Sequence, residues 1–187
     1  MEEPVEEFLE DVEEPRIIGL YGDIDDDNSK ELVASLLAYI HEIKVTEAEL
    51  LPVEMVISTG GGHVSDMFAI YDLMRILREG CPINTLAIGK VMSAGVLLLA
   101  AGTKGARRIG KHCRIMLHHV TTGEQGSIAD IGSTYKEAYV MEKMMFDALV
   151  SESALTSAQL KRMVKSNTDK FFSAEEAVKM GIADIIV

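Results

Sequence analysis

Cysteine occurs only twice in this chain, and positive charge is scarce. Cys81 and Cys113 lie far apart and match no metal-binding or redox spacing, so they are expected to be reduced core thiols. Eighteen Lys and Arg face thirty Asp and Glu, a formal net charge of −12. That balance excludes a protein built to track nucleic-acid phosphates. No apolar run is long enough to cross a bilayer. The first residues are acidic, where a secretory signal needs a basic end followed by an apolar run. No membrane and no nucleic acid are therefore expected as partners, and the expected location is the cytoplasm. Low-complexity tracts and signs of a second domain are also missing.

What is present is an ordinary globular composition, 48% hydrophobic over 187 residues, enough for one domain with a buried core. The acidity is uneven. Residues 1–15 carry eight Asp or Glu and no Lys or Arg, which leaves the rest at −4. The chain therefore divides into an acidic N-terminal arm, 1–15, and a domain, 16–187.

Within that domain, apolar runs at 16–21, 53–58, 83–88, 107–109, 113–117 and 184–187 read as strands. Asn28 with Glu31 resembles a capping box opening a helix to residue 43, with Leu32, Val33, Leu36, Leu37 and Ile40 as its apolar stripe. A helix is expected over 64–78. Ser127 with Asp130 opens a long helix to about 153, Thr156 with Gln159 one to 164, and Ser173 with Glu176 one that stops at Gly181. Strand, glycine loop and helix follow one another twice, which implies stacked units with loops converging at one end. The long, Met-rich helix from Ser127 is a natural contact between subunits.

Two glycine-bearing segments could carry chemistry. The first is Thr59-Gly60-Gly61-Gly62, between a strand and a helix. No Lys-Ser/Thr follows, so it is not a phosphate-binding P-loop, and the spacing fails a dinucleotide fingerprint. It offers bare N–H groups to an anion or oxyanion. The second runs from Gly89 to Gly102, with Ser93 before the apolar block 96–101. A serine at the start of a buried helix is placed to attack a carbonyl, since nearby N–H groups and the helix dipole favour the oxyanion that forms. The same position suits a plain N-cap serine, and spacing alone leaves both open. Ser93, His118 and Asp169 are the components of a nucleophile–base–acid triad, although chain order by itself identifies none. Lys90, three residues before Ser93, would suit a Ser–Lys dyad; the histidine and aspartate positions argue for the triad. No histidine or cysteine pair has zinc spacing apart from adjacent His118-His119, so no metal or cofactor is expected.

In combination these motifs resemble the ClpP family of caseinolytic serine peptidases. The matching pieces are Arg16-Ile-Ile, Gly61-Gly62, Ala69-Ile-Tyr-Asp-Leu-Met74, the Ser93 segment with Leu98-Leu-Ala-Ala-Gly102, Ile115-Met-Leu-His118, Asp169-Lys-Phe-Phe-Ser-Ala-Glu-Glu-Ala177 and Gly181-Ile-Ala-Asp184. The resemblance implies an α/β, crotonase-like ClpP fold of stacked ββα units with a protruding handle helix. It implies Ser93 as nucleophile, His118 as base and Asp169 as its orienting acid, with Gly62 and Ala94 N–H groups as oxyanion hole. It also implies substrate contacts at Gly61, His63, His119, Val120 and Thr121. The implied assembly is a homo-oligomer, a heptameric ring or a tetradecamer of two rings. Peptides are the implied substrates, and an AAA+ unfoldase or other ClpP-type subunits the implied partners. Several positions depart from the family pattern. His119 stands for the usual glutamine, Val120 for proline, and Thr168 for an arginine that registers the two rings. Glu54 and Val56 stand where tyrosines bind unfoldase loops. These departures motivate an alternative, an inactive or regulatory ring subunit.

Overall fold

The computed structural model describes residues 16–45, 51–123, 125–165 and 168–187. The acidic arm expected over 1–15, and with it the boundary at 15/16, lies outside the described residues.

Chain order gives β1 (Ile17–Tyr21), α1 (Asp26–Val45), β2 (Val53–Thr59), α2 (Val64–Leu77), β3 (Ile83–Met92), α3 (Ala94–Ala100), β4 (Arg107–Ile109) and β5 (Arg114–Leu117). Then follow α4 (Ile128–Glu152), α5 (Ser157–Val164), β6 (Lys170–Phe172), α6 (Ala174–Lys179) and β7 (Ile185–Ile186). A parallel sheet runs β1-β2-β3-β4-β7, with β5 alongside β3 and β6 antiparallel to β5. In β2 the side chains alternate strictly: Val53, Met55, Ile57 and Thr59 are buried and those between are half-buried. Of these, Val53, Met55 and Ile57 share one core with Leu32, Leu36 and Ile40 of α1, Met67, Ile70 and Met74 of α2, and the wholly buried α3. Truncating a fully buried leucine such as Leu98 to alanine in a core of this kind costs about 2–5 kcal/mol.

β3 is the hinge of the architecture. Its first half pairs with β4 through Thr85–Ala87, and its second half pairs with β5 through Lys90–Met92. Between the halves the register against β2 shifts, and Gly89 sits at φ +64°. The strand expected to stop at residue 88 therefore continues to Met92, because the glycine lets the chain kink and find a new partner rather than end.

Other departures from expectation are local. α1 starts at Asp26, and its cap is Asp25, whose Oδ1 accepts from Asn28 N–H at 3.0 Å. Asn28 instead donates its side-chain amide to Asp23 O, so no Asn28–Glu31 box forms. Leu37, assigned to the apolar stripe, is 51% exposed. β6 was not expected at all. By contrast the Ser127/Asp130, Thr156/Gln159 and Ser173/Glu176 capping boxes all form. The first half of α4 exposes Ile128, Ile131, Tyr135 and Tyr139, while Met145 and Leu149 anchor its second half in the core. Among the described residues no helix is long and apolar enough to cross a membrane.

A buried polar knot ties the helices to the far end of the sheet. Arg107 pairs with Asp184 at 2.5 Å and donates to the carbonyls of Ala100 and Glu152. Glu152 in turn accepts from Arg78 and from the Tyr71 hydroxyl. Burial raises the Glu152 pKa, but the Arg78 hydrogen bond and charge, with the Tyr71 hydroxyl, outweigh it and hold the carboxyl below the usual glutamate value. Asp184 is also held low, chiefly by its hydrogen bond from Arg107.

Candidate active site

Three strand ends bring Ser93, His118 and Asp169 together. β3 and β5 run parallel with Met92 opposite Met116, so Ser93 leaves one strand beside the end of the other. β6 is antiparallel to β5 with Lys170 opposite Leu117, so the next step on each strand sets Asp169 facing His118. A separation of fifty-one residues in sequence becomes one register step.

Ser93 has φ +53° and ψ −123°, the one non-glycine residue with positive φ among those described. Such a conformation costs on the order of 1–3 kcal/mol and persists only when its surroundings enforce it. Here the Ser93 N–H is bound to Met116 O at 2.8 Å, and its carbonyl accepts from Val96 N–H at 3.0 Å to start α3. Ser93 thus occupies the N-cap position of α3, but its side chain makes no capping bond. Its Oγ lies 2.7 Å from His118 Nε2. On the other side of the ring, His118 Nδ1 is 3.6 Å from Asp169 Oδ1, within ion-pair reach but beyond a hydrogen bond. The His118 side chain is 25% exposed and that of Asp169 52%.

The glycine loop closes against this serine. Gly61 and Gly62 have φ +98° and +153°. A Cβ on Gly61 would lie 2.7 Å from Ser93 Cβ, and one on Gly62 would lie 2.1 Å from Ile24 O, so side chains are excluded at both. The loop is pinned by Ile24 N–H to Gly61 O, His63 N–H to Ile24 O, and Gly61 N–H to Thr59 Oγ1. These bonds use the groups on either side of the Gly62 N–H and leave that N–H out of the ladder. The N–H of Ala94, first residue of α3, likewise precedes the intrahelical bonds.

A groove of about 550 Å³ runs over Ser93 and His118. Gly62, His63, Val64 and Ser65 form one side, and Val120, Thr121 and Thr122 another. The helical wall is α4, through Ser133, Thr134, Glu137, Ala138 and Met141. None of these α4 positions was assigned to the site from sequence; their three- and four-residue spacing on one helix face was the available signal. His63 is exposed and its Nδ1 meets Asp66 Oδ2 at 3.0 Å. His119 does not line the groove. Alternation along the extended 118–120 segment turns it to the other side, where it faces Glu142 and borders a second cavity. Lys90 is exposed, and Ser93 Oγ is bonded to His118 rather than to it. Cys113 is buried, and burial pushes its thiol up to about 11. Among the described residues no group of three or more His, Cys, Asp or Glu is placed to hold a metal ion.

A serine at a strained strand-to-helix turn with a histidine bonded to its hydroxyl, on a mixed α/β body, is an arrangement that serine hydrolases use. Comparison with known proteins gives the family. The Clp protease family model matches residues 2–187, and the chain belongs to that family. It is 35% identical over 173 residues to the ATP-dependent Clp protease proteolytic subunit 2 of Mycolicibacterium paratuberculosis, covering 92% of this chain and 82% of that protein. It is 33% identical to the proteolytic subunit 2 of Chlamydia pneumoniae (92% and 80%) and 34% identical to the proteolytic subunit 4 of Rhodococcus jostii (92% and 84%).

Proposed function

We propose that this chain is a serine endopeptidase that cleaves unfolded proteins or short peptides with a Ser93–His118–Asp169 triad. Ser93 Oγ attacks the scissile carbonyl as His118 Nε2 takes its proton, and His118 then gives that proton to the departing amine. Asp169 fixes the Nδ1–H tautomer and stabilises the imidazolium. The N–H groups of Gly62 and Ala94 receive the oxyanion, each worth about 3 kcal/mol in sites of this kind. Water then hydrolyses the acyl-enzyme with His118 as base. The peptide lies extended between Gly61–His63 and Val120–Thr121, held by backbone hydrogen bonds as an added strand. No cofactor or metal takes part.

The observation that carries this reading is the 2.7 Å contact of Ser93 Oγ with His118 Nε2 at a serine held in positive φ. The exposed apolar side chains of α4, Ile128, Ile131, Tyr135 and Tyr139, support assembly with further copies, as a heptameric ring or two such rings enclosing a chamber. An AAA+ unfoldase, or other ClpP-type subunits, would feed or complete that chamber in the cytoplasm. The test is hydrolysis of a short fluorogenic peptide by wild type and Ser93→Ala, with assembly mass measured on both. Ser93-dependent turnover in a particle several times 20.5 kDa is expected; equal rates in the two proteins would reject the triad.

One observation favours a second reading, a regulatory ring subunit that modulates partner peptidase rings. On β2, Glu54 is bound to Arg108 and to Asn84 Nδ2, which makes a polar, ion-paired face where the family docks unfoldase loops. Co-assembly with an active ring, without peptidase activity of its own, would select it.

A further inference from the structure

The 118–120 segment must hold an imidazole within bonding distance of Ser93 while presenting an edge to substrate. Behind it, Val120 packs against the core. A cavity of about 440 Å³ opens between α4 and α5, with His119, Phe146 and Leu160 among its walls. One side chain spans the gap. Glu142, in the middle of α4, is 17% exposed, and its Oε2 lies 2.8 Å from His119 Nδ1 and 2.9 Å from Val120 N. A single carboxylate oxygen thus takes both a backbone N–H and an imidazole N–H, and a carboxylate beside Nδ1 selects the Nδ1–H tautomer of His119. The His119 ring also meets Phe146, with centroids 6.3 Å apart.

We propose that Glu142 is a positioning residue for the peptidase reaction: it straps the segment carrying His118 to the handle helix and so fixes the His118 imidazole against Ser93. The inference rests on the triad reading above. It follows from connectivity, because His118 sits between its bond to Ser93 and two strapped neighbours. It also links the two ends of α4. The exposed half bears the apolar surface fit for another subunit, and the half bearing Glu142 holds the catalytic segment. A shift of α4 along its axis would be transmitted to His118 through that one oxygen.

The experiment compares wild type, Glu142→Ala, Glu142→Gln and, as a control on the exposed side of the helix, Lys143→Ala. Kinetics on a fluorogenic peptide are read with assembly mass and with deuterium exchange of the peptide spanning 118–121. Glu142→Ala is expected to lower kcat about 10- to 100-fold through misplacement of the base, with KM moving less than about threefold. Exchange at Val120 should accelerate while assembly mass stays constant. Because one oxygen makes both bonds, the Gln Oε1 can replace it, and Glu142→Gln is expected to recover most of kcat and the slow exchange. Lys143→Ala should match wild type. Unchanged kcat or unchanged exchange in Glu142→Ala would overturn the strap, as would failure of Gln to rescue either. Absence of Ser93-dependent turnover in the wild type would instead reject the triad reading, and the exchange comparison would then decide the strap by itself.

Discussion

The Asp169 carboxylate offers the most quantitative test of the site, because its placement is unusual. Oδ1 is 3.6 Å from His118 Nδ1 and the side chain is 52% exposed. Two unit charges at about 4 Å interact by about 4 kcal/mol at an effective dielectric near 20, and by about 1 kcal/mol in bulk water. A half-exposed carboxylate falls between, at about 2 kcal/mol, which converts to roughly 30-fold in rate at about 1.4 kcal/mol per tenfold. A buried, fully bonded aspartate would be worth ~10⁴-fold instead. Asp169→Asn is therefore predicted to lower kcat about 30-fold with little change in KM. Asp169→Glu, one methylene longer, can close the gap to Nδ1 and should keep most of the activity. Initial rates on a fluorogenic peptide, compared at equal assembly mass, read both. A kcat unchanged in Asp169→Asn would refute the role of this carboxylate. A loss as complete as that of Ser93→Ala would refute the argument from solvent screening.

Gly62→Ala should reduce kcat by about 10²-fold, because its Cβ would strike Ile24 O and push the Gly62 N–H out of line with the oxyanion; wild-type kcat in this variant would remove Gly62 from the oxyanion hole. Glu152→Ala, which removes the carboxylate bonded by Arg78 and the Tyr71 hydroxyl, should cost about 3 kcal/mol or more in unfolding experiments. Since the folded pKa of Glu152 lies below the ordinary glutamate value near 4.5, its stabilisation is complete above that pH and fades as pH falls through the folded value. The Tm of the wild type should accordingly drop more steeply below about pH 4.5 than that of Glu152→Gln, and parallel curves would contradict this. Cys113, with its thiol at about 11 and buried, should resist iodoacetamide at neutral pH until the protein is unfolded; rapid native labelling would count against the packing described.

How far the sequence could be read depended on the range of the interactions involved. The three capping boxes and the apolar run of β2 were legible because each is decided within a few residues. The start of α1 was misread for the same reason in reverse: Asn28 has the right side chain for a cap, but Asp25 occupies the position from which an oxygen reaches Asn28 N–H. β6 was invisible because its three residues form a strand only by pairing with β5, and Phe171 and Phe172 carry no alternation of their own. That long-range pairing also sets Asp169 beside His118, so this aspartate was accessible through family resemblance and not through spacing. The positive φ of Ser93 is likewise imposed from outside, by the bond to Met116 O and the approach of Gly61. Glu142 left no trace in the pattern, since a half-buried glutamate on a long helix looks like any other surface charge.

The central claim is that the Ser93 hydroxyl is activated by the imidazole bonded to it. Treatment with a fluorophosphonate, followed by mass mapping of the adduct, tests that contact directly. The adduct is predicted on Ser93 in the wild type and is predicted to be lost in His118→Ala of the same assembly mass. An unmodified Ser93 in the assembled wild type, or equal labelling with and without His118, would contradict it.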